Sequence, residues 1–257
     1  MAGAIAIRSE DARIPALAMA NRFTKFNPET EHSVRKGEIV DETLRQLKEM
    51  WDTCPFLYVS MYHAEVSRFI RARGLQCSAK DVERLSLAFA EFRDEEQFSM
   101  KAGVFLSALI NNGNDTDYVV HTLPSLGQFH EIGWENTKNI VVKGDIESGG
   151  WRMSAGRIIV EGDVSNTVGT GMTGGTIVVE GNVSFMVGLG MEGGRIIVKG
   201  DVEGSVGNTM RDGEIYLEGD YAKLSNDVYG GKIYHKGELI VDEVFSPLKL
   251  PSFWPNR

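Results

Sequence analysis

Asp145, Asp163, Asp201 and Asp220 each follow a glycine directly and recur 18 or 19 residues apart, with one double interval where Asn182 takes the equivalent place. Aligned carboxylates can hold a hard cation such as calcium through oxygen ligands. Asn182 interrupts the charge, however, and Asp or Asn after glycine also steadies a turn through its own backbone hydrogen bonds. The turn reading is preferred. Met153, Met172, Met191 and Met210 are spaced by 19. Their thioethers can bind a soft metal such as Cu(I), but a flexible side chain repeated at that interval is better read as core filling. A third column, Lys143, Glu161, Glu180, Lys199, Glu218 and Lys236, is opposite in sign at four of its five steps, which favours a solvated face with cross-strand pairing over a binding groove.

The first half offers less. His63 with Cys54 or Cys77 has the residue types of a base and a nucleophile, but nothing in the sequence brings them together. A partly buried histidine and two inert thiols are expected. Two cysteines build neither a disulfide framework nor, alone, a tetrahedral zinc site. Arg68, Arg71 and Arg73 give one helix a basic end, which suits its macrodipole; binding an anion or nucleic acid is the lesser alternative. Gly174-Gly175 and Gly193-Gly194 resemble a phosphate cradle only superficially, since that needs a following helix N-terminus and none is predicted. No catalytic residue is identified.

With 257 residues and a formal charge of −9, the chain is long enough for one or two cores and too acidic to coat nucleic acid by neutralising phosphates. The opening MAGAIAIRSEDARIP lacks a signal-peptide pattern, and no apolar run reaches the length of a membrane span. A cytoplasmic location without membrane attachment is the expectation.

Glycine usage divides the chain: six of the 29 glycines precede position 131 and 23 follow. This predicts a mainly helical domain over 1–130 and a glycine-rich repeat domain with a C-terminal tail over 131–257. Spacings of three and four predict helices through Val40, Leu44, Leu47 and Trp51, through Tyr62, Val66, Phe69 and Ile70 up to Gly74, and through Val82, Leu85 and Phe89. Ser78 and Asp81 form a capping-box pattern for the third. Ala102 to Ile110 is apolar on all sides and reads as buried, helix or strand. Tyr118 to Thr122 reads as a strand.

Gly144-Asp145-Ile146, Gly162-Asp163-Val164, Gly181-Asn182-Val183, Gly200-Asp201-Val202, Gly219-Asp220-Tyr221 and a last variant, Gly237-Glu238-Leu239, mark a repeat of about nineteen residues. Val168-Gly169, Val187-Gly188 and Val206-Gly207 keep the same interval. A fixed period with short apolar runs and no helix-length stretch specifies a solenoid of strands. Alternation within each run turns Ile158 with Val160, Ile177 with Val179, Ile196 with Val198 and Ile215 with Leu217 inward, so that like side chains stack about 4.8 Å apart. The fold class is α+β, a mostly helical domain followed by a single-stranded β-helix of about six coils. A six-residue left-handed solenoid is rejected, because the isoleucines do not subdivide by six.

Between the inward pairs lie Val141, Ile159, Val178, Ile197, Tyr216 and Tyr234, an outward apolar stripe of the kind that marks an interface. Either the N-terminal helices or another subunit is expected to cover it.

The unit Gly-Gly-x-Ile-x-Val-x-Gly-Asp/Asn-Val followed by Val-Gly-x-x-Met, clearest over residues 174–183 and 193–202, resembles the glycine-rich β-helix family. That family includes the C-terminal domain of the glutamate synthase large subunit and one of the subunits of formylmethanofuran dehydrogenase. The resemblance covers some 40% of the chain. It implies a right-handed β-helix acting as a non-catalytic spacer beside amidotransferase, flavin or molybdopterin/tungstopterin modules. It thus implies a structural subunit of an oxidoreductase or amidotransferase, or a homo-oligomer, with any cofactors on the partner subunits. The alternative is an enzyme in its own right, with a pocket between helices and solenoid that uses His121, His130 or the aspartate column.

Overall fold

The structure is a computed structural model that describes residues 42–55, 62–122 and 128–244. Val40, the amino-terminal segment and the C-terminal tail lie outside these residues. Among the described residues four α-helices precede the strands: α1 through residues 42–53, α2 (Tyr62–Arg73), α3 (Ala79–Ala88) and α4 (Phe98–Asn112). The predicted starts and stops hold. Ser78 Oγ accepts from Asp81 N–H while the Asp81 carboxylate accepts from Ser78 N–H at 2.9 Å, completing the capping box of α3. Gly74 (φ 63) ends α2. Ala102–Ile110 is helical, within α4, and buried on every side.

Twelve strands follow among the described residues: β1 (Asp117–His121), β2 (Asn139–Lys143), β3 (Arg157–Val160), β4 (Thr167–Val168), β5 (Thr176–Val179), β6 (Met186–Val187), β7 (Glu192–Val198), β8 (Val202–Val206), β9 (Asp212–Leu217), β10 (Tyr221–Leu224), β11 (Gly231–His235) and β12 (Glu238–Glu243). They form one sheet in the order β1-β2-β3-β5-β7-β9-β11-β12 and a second in the order β10-β8-β6-β4. Each turn of chain adds one parallel strand to the large sheet, which is a β-solenoid of about six coils.

The inward columns stack as the alternation requires. Ile140, Ile158, Ile177, Ile196, Ile215 and Ile233 pair in unbroken register and all are essentially inaccessible. At roughly 2 kcal/mol for burying one such side chain, this column and the neighbouring valines are the principal favourable contribution in the repeat. A third wall carries the residue after each Gly-Asp pair, linked by single parallel bridges from Phe129 through Ile146, Val164 and Val183 to Val202.

The four methionines are fully buried in this core, and each fits under a glycine of the next coil. A Cβ on Gly194, whose φ is 87, would lie 2.7 Å from the Met172 ε-methyl. The conformation and the contact both demand glycine.

Coil formation begins before the visible repeat. β1 pairs with β2 in parallel, and Phe129 and Ile132 bridge to Ile146 and Gly149. The last repeat unit departs from expectation: Gly237-Glu238-Leu239 does not add a coil. Lys236 (φ 49) and Gly237 (φ 84) form a two-residue reversal, and β12 returns antiparallel to β11. Two successive positive φ values make a turn whose twist suits a hairpin.

The helices close the opposite end. Trp51 lies among Phe89, Phe92, Phe98 and Phe105 at centroid distances of 4.7–5.9 Å, and Phe89 and Phe98 both meet Phe129 of the first coil at 5.9 Å. Helix and coil therefore share one core. Against the coil's edge, α4 presents Ser99, Gly103, Ser107 and Asn111, spaced by four and so on one helix face. Ser99 C=O accepts from His130 N–H, and Ser107 Oγ accepts from Gly133 N–H at 2.9 Å and lies 3.1 Å from the Glu131 carbonyl. Asn111 donates to the Trp134 carbonyl at 2.8 Å, and Gly103 has no room for a Cβ beside the His130 carbonyl. Backbone groups that have no preceding coil to bond are thus satisfied by a helix. Among the described residues no helix is long and apolar enough to cross a membrane.

Candidate functional site

The aspartate column is structural. Asp145 Oδ1 accepts from Asp163 N–H, Asp163 Oδ1 from Asn182 N–H, Asn182 Oδ1 from Asp201 N–H and Asp201 Oδ1 from Asp220 N–H, at 2.7–2.8 Å. The expected bond to its own turn is replaced by one to the next coil. Only the side-chain oxygen is used, so Asn182 serves as well as aspartate. Asp220, with no such coil above it, accepts from Lys236 Nζ at 2.6 Å, and that ammonium holds its carboxyl below the usual aspartate range. Among the described residues no group of three or more histidine, cysteine, aspartate or glutamate side chains is placed to hold a metal.

The charged column is a solvated face. Lys143 pairs with Glu161 and Lys199 with Glu180, while Lys236 has turned to Asp220.

The predicted stripe from Val141 through Ile159, Val178, Ile197 and Tyr216 to Tyr234 is continuous and gains Val119 of β1, so that seven residues pair rung by rung across seven strands. It is flatter in exposure than a bare apolar patch. Val178 is buried and the other six are half-buried. Tyr216 and Tyr234 stack with centroids 4.5 Å apart, and the Arg195 guanidinium lies 5.2 Å from the Tyr216 ring while gripping Glu214 at 2.6 and 3.0 Å. α3 packs on β1, at the end of the sheet.

The cysteines are not activated. Burial pushes both thiols up to about 11, opposed at Cys54 by Lys101 and reinforced at Cys77 by Asp81. The thiolate, the nucleophilic form, is therefore disfavoured. His63 instead meets Glu131: its Nε2 lies 2.5 Å from the Glu131 carboxylate, and its ring stacks on Trp134 with centroids 3.5 Å apart and planes within 7°. A carboxylate accepts only, so Nε2 carries the hydrogen and, in the neutral ring, Nδ1 keeps the lone pair. Histidine held in this way by a carboxylate is how general bases are oriented.

His63 borders a cleft of about 330 Å³ between α2, α4 and the first coil, with Glu131 behind it. Ser67, Arg68 and Arg71 line it from α2, Ser107 and Asn111 from α4, and Trp134 and Glu135 from the coil. Arg71 Nε donates to Asn112 Oδ1 at 3.1 Å, and Asn112 donates to Ser67 Oγ at 3.0 Å. Arg73 points elsewhere, lying against Phe69 and reaching Thr53. Glu131 (φ 57) and Glu135 (φ 48) hold left-handed backbone, a conformation that disfavours non-glycine residues by about 1 kcal/mol each.

His121 and His130, the expected pocket residues, lie outside this lining: His121 bonds Glu83 at 3.1 Å and His130 pairs with Glu147. The basic end of α2 was the signal for this cleft. Trp134, Glu131 and Asn111 carried none, because their meeting depends on how α4 seats on the coil. Set against family models, curated proteins and solved structures, the chain matches none of them.

Proposed function

We propose that this chain is an assembly subunit whose large sheet docks a protein partner along the outward stripe. The supporting observation is the in-register apolar column from Val119 to Tyr234, bordered on one side by Arg157, Thr176, Arg195, Glu214 and Lys232 and on the other by the alternating Lys/Glu column. An apolar centre with a polar, charged rim is the composition of protein interfaces, and outward strand positions facing only water favour polar residues. The resemblance of the repeat adds the kind of complex, an oxidoreductase or amidotransferase whose cofactors sit on the partner.

Replacing Ile159, Ile197 and Tyr216 together by lysine tests the reading. The expected result is loss of the assembled species in light scattering and of the co-purifying partner, with the thermal transition retained. Unchanged assembly in a folded triple variant refutes it.

A further inference from the structure

A second surface, the cleft between α2, α4 and the first coil, stands apart from the assembly reading. In a chain with net charge −9, the cleft at the capped end brings two guanidinium-bearing residues to one wall. Arg68 and Arg71 are one helical turn apart on α2, where like charges oppose each other. Arg68 makes no hydrogen bond or ion pair with any described residue, and Arg71 commits only its Nε. Of the acids around the cleft, Glu135 in its lining pairs with Arg152 at 3.9 Å, Glu131 behind it is held by His63, and Glu65 stands one turn before Arg68 on α2.

Beside the arginines, the Ser67 hydroxyl accepts from Asn112, which leaves its hydrogen to donate. Asn111 has given one amide hydrogen to Trp134 C=O and keeps a second. On the coil side the lining is the half-buried Trp134, which stacks on His63, together with Glu135. The volume lies at the small end for ligand pockets.

We propose that this cleft binds a small organic anion, its phosphate or carboxylate group held by the Arg68 and Arg71 guanidiniums and its flat or apolar body against Trp134. Guanidinium forks match both head groups in geometry, and an anion between them removes the repulsion within α2.

Titration calorimetry on the full chain with inorganic phosphate, phenyl phosphate and benzoate provides the test, since Arg68 and Arg71 are exposed and Arg68→Gln with Arg71→Gln leaves the core intact. Saturable binding of at least one probe is expected, with a Kd on the order of 1 mM or tighter. The double variant is expected to weaken it at least about tenfold with an unchanged melting temperature. The tighter of phenyl phosphate and benzoate identifies the head group, and phenyl phosphate binding more tightly than inorganic phosphate identifies the contact with Trp134. No saturable heat with any probe, or equal affinity in the double variant, overturns the assignment.

Discussion

At its first coil the solenoid meets α4, and at its last it meets β12; the same problem, a row of unpaired backbone groups, is solved differently at the two ends. The helix answers with the Ser99 carbonyl, the space left at Gly103 and the side chains of Ser107 and Asn111, set against the His130 and Gly133 amides and the His130, Glu131 and Trp134 carbonyls, while Phe98 and Phe105 join the aromatic core behind them. The hairpin answers with more strand, and its outer edge carries Glu238, Asp242 and Glu243 with Leu239 and Val244 exposed. Charge on an edge strand discourages further pairing. One end is therefore part of the core, and the other is a lightly held flap.

The comparison breaks if damage at the two ends has equal reach. Gly103→Val drives a branched side chain into the His130 carbonyl and separates the cap from the first coil. A loss on the order of 3 kcal/mol is expected from overpacking with unsatisfied backbone groups, read as a shifted denaturant midpoint with protection lost across all coils in hydrogen exchange. Gly237→Ala, at a φ of 84 in the hairpin turn, is expected to remove only about 1 kcal/mol, and exchange should show opening confined to β11 and β12.

A smaller effect sharpens the same contrast through pH. The Asp220 carboxyl at the flap end is depressed by the Lys236 ammonium, whereas Asp117 on the first coil is depressed by neutral hydrogen bonds from Thr116 and Asn139, which salt does not screen. The stabilisation from Asp220 is fully present above the ordinary aspartate value of about 3.9 and is lost as pH falls from there through the depressed value. Asp220 and Lys236 are both exposed, so the effect is modest and screened by salt. Acid titration followed by NMR should loosen β11 and β12 in that window while the α4 contacts stay unchanged, and high salt should remove the loosening of β11 and β12.

What could be read from the residues followed the same division. The coils were legible because stacking repeats every constraint: Ile177 sits on Ile196 and Met172 under Gly194, so one unit's requirements reappear nineteen residues later. The ends break the repetition. Ala102–Ile110 showed burial without type, since the stripe Ser99, Gly103, Ser107 and Asn111 has meaning only once the edge it bonds is known. The final Gly237-Glu238-Leu239 mimicked a repeat while Lys236 and Gly237 reversed the chain. Arg68 and Arg71 were visible as a basic helix end, but the cleft they border arises from chain segments about sixty residues apart.

The Asx column has a polarity that bears on how the molecule is made. Each side-chain oxygen waits for an amide that lies later in the chain, from Asp145 through Asp201. A nascent chain leaves the ribosome with α4 already complete and the first winding able to seat on it. Every later winding can then seat on a finished template, which permits growth in the direction of synthesis by one short-range addition at a time.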